Sequence, residues 1–470
     1  MGRKPVPNGE PATHDLVNRP IGQALRQLAV PAALGMLFTT MFNIVDIFFA
    51  GLLGTDAQAG IALGYQGFAV LMAFGFGLSA AMGALVGQAI GAGDRGRART
   101  LAGQGLSLAT VTGVALMLLG WLGGPLVIAL ISEPGGYRDA ALTYLNIILL
   151  SLPCFIIAHG CNGILQAQGD GKSLQRALLL AALGNVGLNP LCIFGIPGVW
   201  TGMGFAGIAV ATVLAWLGVA AFMLWRVRGA AVSRGMLWTD VRPGMRAFQT
   251  IASQALPATF AFVILFMSAL IVTFALKTFG GHAVAGYGIA IRIEQILFLP
   301  LQGVTLALLP VAAQAYGAGA LERMWDALGY CLRLGVSMAV AAALVIWTLG
   351  GTVMQLFTTD PDVIRVGLAY LYIDALGLPF YTMLFAFNSM FQALQRARLP
   401  LWIGLYRRGA GLALFIWLFI GPLGFDELGI WYAHVAAVVS GWLLATLLLW
   451  RVSRSVGLVS SPLRAADGPV

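Results

Sequence analysis

The chain has 470 residues, of which 59% are hydrophobic and only 10% charged. Ordinary soluble domains carry about 25% charged residues, and a soluble fold of this size has no way to hide so much apolar surface, so a soluble protein is excluded. The net charge of +9 would suit a nucleic-acid binder, but the basic residues are dealt out between apolar runs on one side of the sequence pattern, so nucleic acid is excluded as a partner.

The solvent for most of the chain is therefore a lipid bilayer. Each spanning segment must satisfy its own backbone there, and the apolar runs are long and do not alternate, so they are helices. About 20 apolar residues span a bilayer. In chain order, residues 1–24 form a polar tail with no hydrophobic stretch before a cleavage site, which reads as cytoplasmic and not as a signal peptide. A first lobe, 25–228, holds six spans at 25–53, 57–91, 94–121, 138–168, 172–196 and 204–228. Residues 229–244 form a cytoplasmic linker, which carries Arg234 and Arg242 and follows directly on Arg226 and Arg228. A second lobe, 245–454, holds spans at 245–279, 283–317, 321–349, 363–395, 399–421 and 429–452, and 455–470 form a short tail. The fold class is all-α integral membrane, with twelve helices in two lobes.

Of the 27 basic residues, 23 fall on the side of the amino terminus, Arg407 and Arg408 among them. Arg138, Lys277 and Arg365 fall opposite, and Arg292 lies inside a helix. The positive-inside rule puts both termini in the cytoplasm, which for a bacterial-type chain means a multi-pass inner-membrane protein. Cys154, Cys161, Cys192 and Cys331 sit in apolar segments without metal or redox spacing, and read as packing residues. Gly171-Lys172-Ser173 looks like the end of a phosphate-binding loop, but Gln166 stands where the required glycine should be. No cofactor and no nucleotide-driven pump is expected, and the energy source is an ion gradient or the membrane potential. His14, His159, His282 and His434 are scattered, which argues against a metal cluster and against an intramembrane enzyme.

Shifting the sequence by 226 positions aligns it with itself. Pro31 meets Pro257, Met41 meets Met267, Gly77 meets Gly303, Trp121 meets Trp347, Pro153 meets Pro379 and Asn162 meets Asn388. Gln88-Ala-Ile-Gly91-Ala-Gly93 meets Gln314-Ala-Tyr-Gly317-Ala-Gly319. Near the ends the offset falls to 225, where Leu224-Trp225-Arg226 meets Leu449-Trp450-Arg451. An even number of helices per unit makes these parallel repeats, related by an axis along the membrane normal, as in secondary transporters with alternating access.

Few polar groups interrupt the spans. Asp46 lies in the outer half of the first, and a carboxylate near a helix centre costs about 2.5–3.5 kcal/mol, so it is expected to face a cavity and to work there. Its repeat counterpart is Val272, and that of nearby Asn43 is Ala269, so the first lobe alone carries this site. Asn185 and Asn189, four apart on one helical face, are placed to bond a protonated Asp46 or to orient water near it. Tyr144, His159 and Asn162 are further candidates for the cavity. A lone His159 is more often a packed, hydrogen-bonding residue than a relay, and Asn162, with its repeat partner Asn388, reads equally as scaffold. In the second lobe, Arg292 and Glu294 point to different sides of one helix, and Asp374 lies toward the outer half; an ion-pair network of the three competes with a role in transport.

The order and spacing of these residues resemble the multidrug and toxic compound extrusion (MATE) family over about 20–452. The resemblance rests on Asn43-Ile-Val-Asp46 followed by Gly54-Thr-Asp, and on Gly87-Gln88 through Gly91-Ala-Gly93-Asp94. It rests also on Asn162 through Gly169-Asp170-Gly-Lys, on Asn185 through Asn189-Pro190-Leu-Cys-Ile-Phe-Gly195, and on Tyr287-Gly-Ile with Arg292-Ile-Glu294. It implies two six-helix lobes forming a V, and export of cationic or amphipathic small molecules in exchange for H⁺ or Na⁺. In the DinF-like branch it implies Asp46 as the proton-linked residue, with Tyr144, Asn162 and Asn185 lining the same lobe cavity. The familiar pattern Asn-x-x-Leu-Asp-Pro here reads Asn185-Val-Gly-Leu188-Asn189-Pro190. Losing that aspartate removes charge that a desolvated Na⁺ would need, whereas a proton needs only Asp46, so H⁺ is favoured over Na⁺. The expectation is a monomeric antiporter; the alternative is a flippase for lipid-linked oligosaccharide or a related lipid precursor, weakened by Arg292 being the one intramembrane arginine seen.

Overall fold

A computed structural model of the protein describes residues 16–276 and 279–455, and of residues 265–271 the backbone alone. His14, Lys277, the tail residues 1–15 and 456–470, and the side chains of Met267 and Ala269 lie outside what is described.

The first lobe contains α1 (Ile21–Leu53), α2 (Thr55–Gly91), α3 (Arg95–Ile131), α4 (Gly136–Ile148), α5 (Leu152–Gln166), α6 (Ser173–Phe194) and α7 (Ala206–Arg228). The short α8 (Trp238–Val241) lies in the linker. The second lobe contains α9 (Met245–Leu276), α10 (Gly281–Gly317), α11 (Leu321–Gln355), α12 (Pro361–Asp374), α13 (Leu378–Ala393), α14 (Arg398–Leu405), α15 (Gly411–Ile420) and α16 (Leu428–Ser455). Several pairs form single spans. A 3-10 turn at Leu149–Ser151 joins α4 to α5, and a π turn at Tyr406–Ala410 joins α14 to α15. The pair α12–α13 forms a span bent by 54°. Counting it as one, the described residues hold up to twelve spans long and apolar enough to cross a membrane.

The bends follow from proline. Pro153 and Pro379 are repeat counterparts, and each sits in the first two positions of the second half-helix, α5 and α13. A proline there removes an N–H and forces its neighbours apart, so the helix can restart but not run through. Carboxylates cap other starts: Asp94 Oδ1 accepts from Arg97 N at 2.9 Å, and Asp360 Oδ1 from Asp362 N at 2.9 Å. The linker is tied to α3, where Gln104 Nε2 donates to the carbonyls of Asp240 at 3.1 Å and Arg242 at 2.6 Å.

Two apolar cores form, one per lobe, and the first helix of each lobe reaches into the other. Ala24, Leu25, Leu28 and Ala29 of α1 pack in the core of the second lobe. Ile251 and Ala255 of α9 pack in that of the first. Glycine makes these crossings close: a Cβ at Gly77 would lie 2.7 Å from the Ala255 carbonyl, and one at Gly303 would lie 2.8 Å from that of Ala29. All four residues are related by the 226-residue offset. Further along α2, Gly87 faces Ala313 and Gly91 faces Gln314 of α10, whereas Gly60 and Gly64 at the other end face Ala140 and Tyr144 of their own lobe. The lobes therefore join where α2 and α10 end, and Asp46, beyond Ala33 on α1 by thirteen residues or about 20 Å, lies toward the other face.

Candidate functional site

Asp46 is only 3% exposed although its helix lies at the edge of the lobe. It is enclosed by α6 and α7. Asn185 Nδ2 donates to Asp46 Oδ1 at 2.7 Å, Asn189 Nδ2 to the same oxygen at 3.0 Å, and Thr212 Oγ1 to Oδ2 at 2.8 Å. The spacing of four between the asparagines puts both on one face of α6, and Asn189 Nδ2 also reaches the Asn185 carbonyl at 3.2 Å.

This donor set can hold either protonation state. Three donors complement an ionised carboxylate. When Asp46 carries a proton, its O–H needs an acceptor, and Thr212 supplies one. The Thr212 hydroxyl already lies 3.1 Å from the Ile208 carbonyl, so it can turn its hydrogen there and accept from Asp46. The carbonyl oxygens Asn185 Oδ1 and Asn189 Oδ1 are buried without a hydrogen-bond partner among the described residues, which leaves oxygen lone pairs beside the acid.

Asp46 opens onto a cavity lined by Phe38, Phe42, Asn43, Tyr65, Phe68, Met72, Tyr144, Ile148 and Trp216. The cavity encloses about 510 Å³, including space that opens beyond the protein surface. Of the residues singled out in the sequence, Asp46, Asn185 and Asn189 are brought together, and Asn43 and Tyr144 line the same cavity. His159 and Asn162 do not line it. His159 is stacked among Phe155 at 4.3 Å, Phe76 at 4.8 Å and Trp216 at 6.4 Å between ring centres, and makes no hydrogen bond among the described residues. Asn162 Nδ2 donates to Ser79 Oγ at 3.3 Å, a helix-to-helix tie between α5 and α2. Thr212 is the residue that sequence reasoning missed. Its signal is a lone hydroxyl on an apolar helix with Ala437 as its counterpart at the 225 offset, but threonine so often bonds its own backbone that the signal is weak.

The second lobe holds a different polar cluster. Tyr370 donates to Glu294. His434 Nδ1 lies 3.1 Å from Asp374 Oδ1, and Tyr381 Oη lies 3.1 Å from His434 Nε2 and 3.4 Å from Asp374 Oδ1. Arg407 stacks over the Tyr381 ring at 5.4 Å. The ion-pair network of Arg292, Glu294 and Asp374 is absent: Arg292 is exposed and makes no ion pair among the described residues, because residues two apart leave a helix in different directions. The sorting of Arg407 and Arg408 to the cytoplasmic side also needs correction. Arg407 lies nine residues inside the span that starts at Arg398, about 14 Å deep, and is buried; the expected span 399–421 already contained both arginines, and counting their charge with the cytoplasmic side ignored that depth.

At the joined end, Asp170 accepts from Ser173 Oγ at 2.6 Å, from Arg226 at 2.9 Å and from two backbone N–H groups of the α6 start. Burial pushes its carboxyl up, and those donors together outweigh burial and hold it below the ordinary range. Asp240 is also held low, first by the Leu237 N–H and then by Thr100 and Arg99.

The MatE family profile matches residues 31–191 and again 257–419. The two matches start 226 residues apart, as the internal repeat requires. The chain is 26% identical over 356 residues to a protein named FAD transporter from Shewanella oneidensis, covering 75% of this chain and 78% of that one. It is 27% identical over 355 residues to a probable multidrug resistance protein NorM from Thermotoga maritima, covering 74% of each. Among solved structures, one described as the outward-facing conformation of a multidrug resistance MATE family transporter superimposes with a TM-score of 0.87 at 20% identity, covering 96% of this chain and 100% of that one.

Proposed function

Because the chain belongs to the MatE family, matched by that family's profile over both of its repeats, we propose that it is a secondary active multidrug efflux antiporter. It exports cationic or amphipathic small molecules by alternating access, in exchange for H⁺. The observation that carries this reading is the buried Asp46, served by three donors and open to an aromatic cavity. The ionised acid attracts a cation into the first lobe, against aromatic faces that suit it. Protonation from the outside removes that charge, Thr212 reverses its bond to accept the new O–H, and the cation leaves. Deprotonation toward the cytoplasm restores the site. With Asn189 where an acid would add charge, the site suits a proton better than Na⁺, and the acid on the first helix supports placement in the DinF-like branch.

The protein lies in the inner membrane with both termini and the basic linker in the cytoplasm, and works as a monomer, since one chain supplies both walls of the cleft. Glu294 and Asp374 form a second acidic pocket that draws cations toward the cleft. Efflux from membrane vesicles, with a panel of compounds and with H⁺ and Na⁺ gradients imposed separately, tests the reading. Export driven by the H⁺ gradient and lost in Asp46→Asn is expected; export by Asp46→Asn at the native rate would overturn it.

A second reading has its own observation. Arg292 is exposed within the second lobe and unpaired among the described residues, and the similar Shewanella protein is named a transporter of FAD, a dinucleotide that carries a pyrophosphate. An anionic, phosphate-bearing cargo, including a lipid-linked precursor, would use that arginine. Headgroup or dinucleotide binding that vanishes in Arg292→Gln would favour it.

A further inference from the structure

The repeated Gln-Ala-x-Gly-Ala-Gly string has no part in the ion site, yet both copies occupy the seam where the lobes join. Gln88 Nε2 donates to the Ala393 carbonyl at 2.5 Å, and Gln314 Nε2 donates to the Ala167 carbonyl at 2.5 Å. These bonds are images of one another, since 88 and 314, and 167 and 393, are both 226 apart. Each crosses from α2 or α10 to the end of the second half-helix in the opposite lobe. The backbones touch as well: a Cβ at Gly91 would lie 2.0 Å from the Gln314 carbonyl oxygen, and one at Gly317 would lie 2.1 Å from that of Gln88.

The other ends of the two side chains differ. Gln314 Oε1 accepts from the backbone N–H of Leu16 at 3.2 Å, and Leu16 is fully buried, its carbonyl held by Arg323. Gln88 Oε1 accepts from Gln395 Nε2. Gln395 is the one non-glycine residue with positive φ among those described, at 57°, and its repeat counterpart is Gly169 with φ 84°. A helix ending in this way takes glycine without strain, and a glutamine there is disfavoured. Strained residues persist where surrounding contacts over-determine them, and the contact here is to Gln88.

We propose that Gln88, Gln314 and Gln395 form a reciprocal clasp that holds the cytoplasmic mouth shut and sets how often it opens. The inference rests on the alternating-access reading above. In that cycle the mouth must open to load cargo, and opening breaks all three inter-lobe bonds of these glutamines at once, while most of each lobe's apolar core stays intact. The glutamines are positioning residues: they touch neither ion nor cargo.

Thiol accessibility tests this without any cargo, so its failure and a failure of the export reading are distinguishable. Ala84 is 1% exposed and packs with the second lobe's core from α2, so an Ala84→Cys thiol reports opening of the seam. Native Cys161, fully buried inside the first lobe, reports general loosening. In a background lacking Cys154, Cys192 and Cys331, alkylation by membrane-permeant N-ethylmaleimide is followed at both positions by peptide mass analysis. Gln88→Met and Gln314→Met keep shape and lose the bonds. Each is expected to speed alkylation at the Ala84→Cys position on the order of two- to tenfold, the worth of one hydrogen bond, and to leave Cys161 unchanged. Gln395→Gly is expected to raise the melting temperature and yet speed alkylation at the seam. An unchanged rate at the seam in both methionine variants, or an equal rise at Cys161, would overturn the clasp; an unchanged rate in Gln395→Gly would remove Gln395 from it.

Discussion

The two lobes share a scaffold and divide the polar residues between them. Asp46, Asn185 and Asn189 have Val272, Gly411 and Phe415 as their counterparts, and Thr212 has Ala437. In the other direction, Glu294 and Asp374 correspond to Phe68 and Ile148, which line the first lobe's cavity, and Tyr381 corresponds to Phe155. Tyr144 and Tyr370 occupy the same place in both lobes and are both buried, but Tyr144 faces the cavity whereas Tyr370 is bonded to Glu294. A duplicated bundle keeps what packing needs in both copies, the prolines, glycines and seam glutamines. Expensive intramembrane charge appears once per site, because each acid requires its own donors and each donor set costs apolar packing.

The largest effect should come from removing the first lobe's charge. Asp46→Asn is expected to abolish H⁺-driven export, a loss of about a hundredfold or more, worth about 2.7 kcal/mol, while Glu294→Gln and Asp374→Asn leave a measurable H⁺-driven rate; equal losses in all three would erase the distinction between lobes. Imposing the first lobe's acid on the second, Val272→Asp, should destabilise the protein by about 3 kcal/mol, since Gly411, Phe415 and Ala437 offer no side-chain donor. Denaturation in detergent measures this, and a stable variant would mean that the second lobe can build the same site. Thr212→Val should cost about 1–3 kcal/mol by leaving Asp46 short of one partner and slow export more than Thr212→Ser, which keeps the hydroxyl; similar rates for the two would remove Thr212 from the proton step.

The smallest effect lies outside the membrane. Asp170 has its carboxyl held below the ordinary value of 3.8, so its stabilising contribution is present above that value and is lost as pH falls through the lower, folded-state value. Asp170→Asn is expected to cost about 1 kcal/mol at neutral pH, as for loss of a helix cap, and to lose less further stability than the native protein on acidification below pH 4. Parallel melting curves from pH 7 to pH 3 check both parts.

Much of this was legible in the residue order. Long apolar runs gave the spans, and the 226-residue offset gave the two lobes and singled out Asp46 as the place where symmetry fails. The spacing of Asn185 and Asn189 put them on one face. Thr212 was not legible, since one threonine on an apolar helix looks like any other until α7 is packed against α1. Arg407 was misplaced because its charge was counted with the cytoplasmic side although the span 399–421 contains it, and its stacking over Tyr381 of α13 shows what accompanies it at depth. The Arg292 pairing failed for a related reason: a charge pattern on one helix does not say which neighbour each side chain meets.

The sequence by itself determined the number and kind of helices, their duplication and the lobe that holds the buried acid, because the cost of backbone and charge in lipid is paid residue by residue. The tertiary structure alone decided which donors surround Asp46, that Glu294 and Asp374 bond to tyrosines and a histidine, and that the seam is closed by reciprocal glutamines. Those contacts join residues more than a hundred positions apart in most cases, and nothing in a linear pattern fixes which faces of two apolar helices come together.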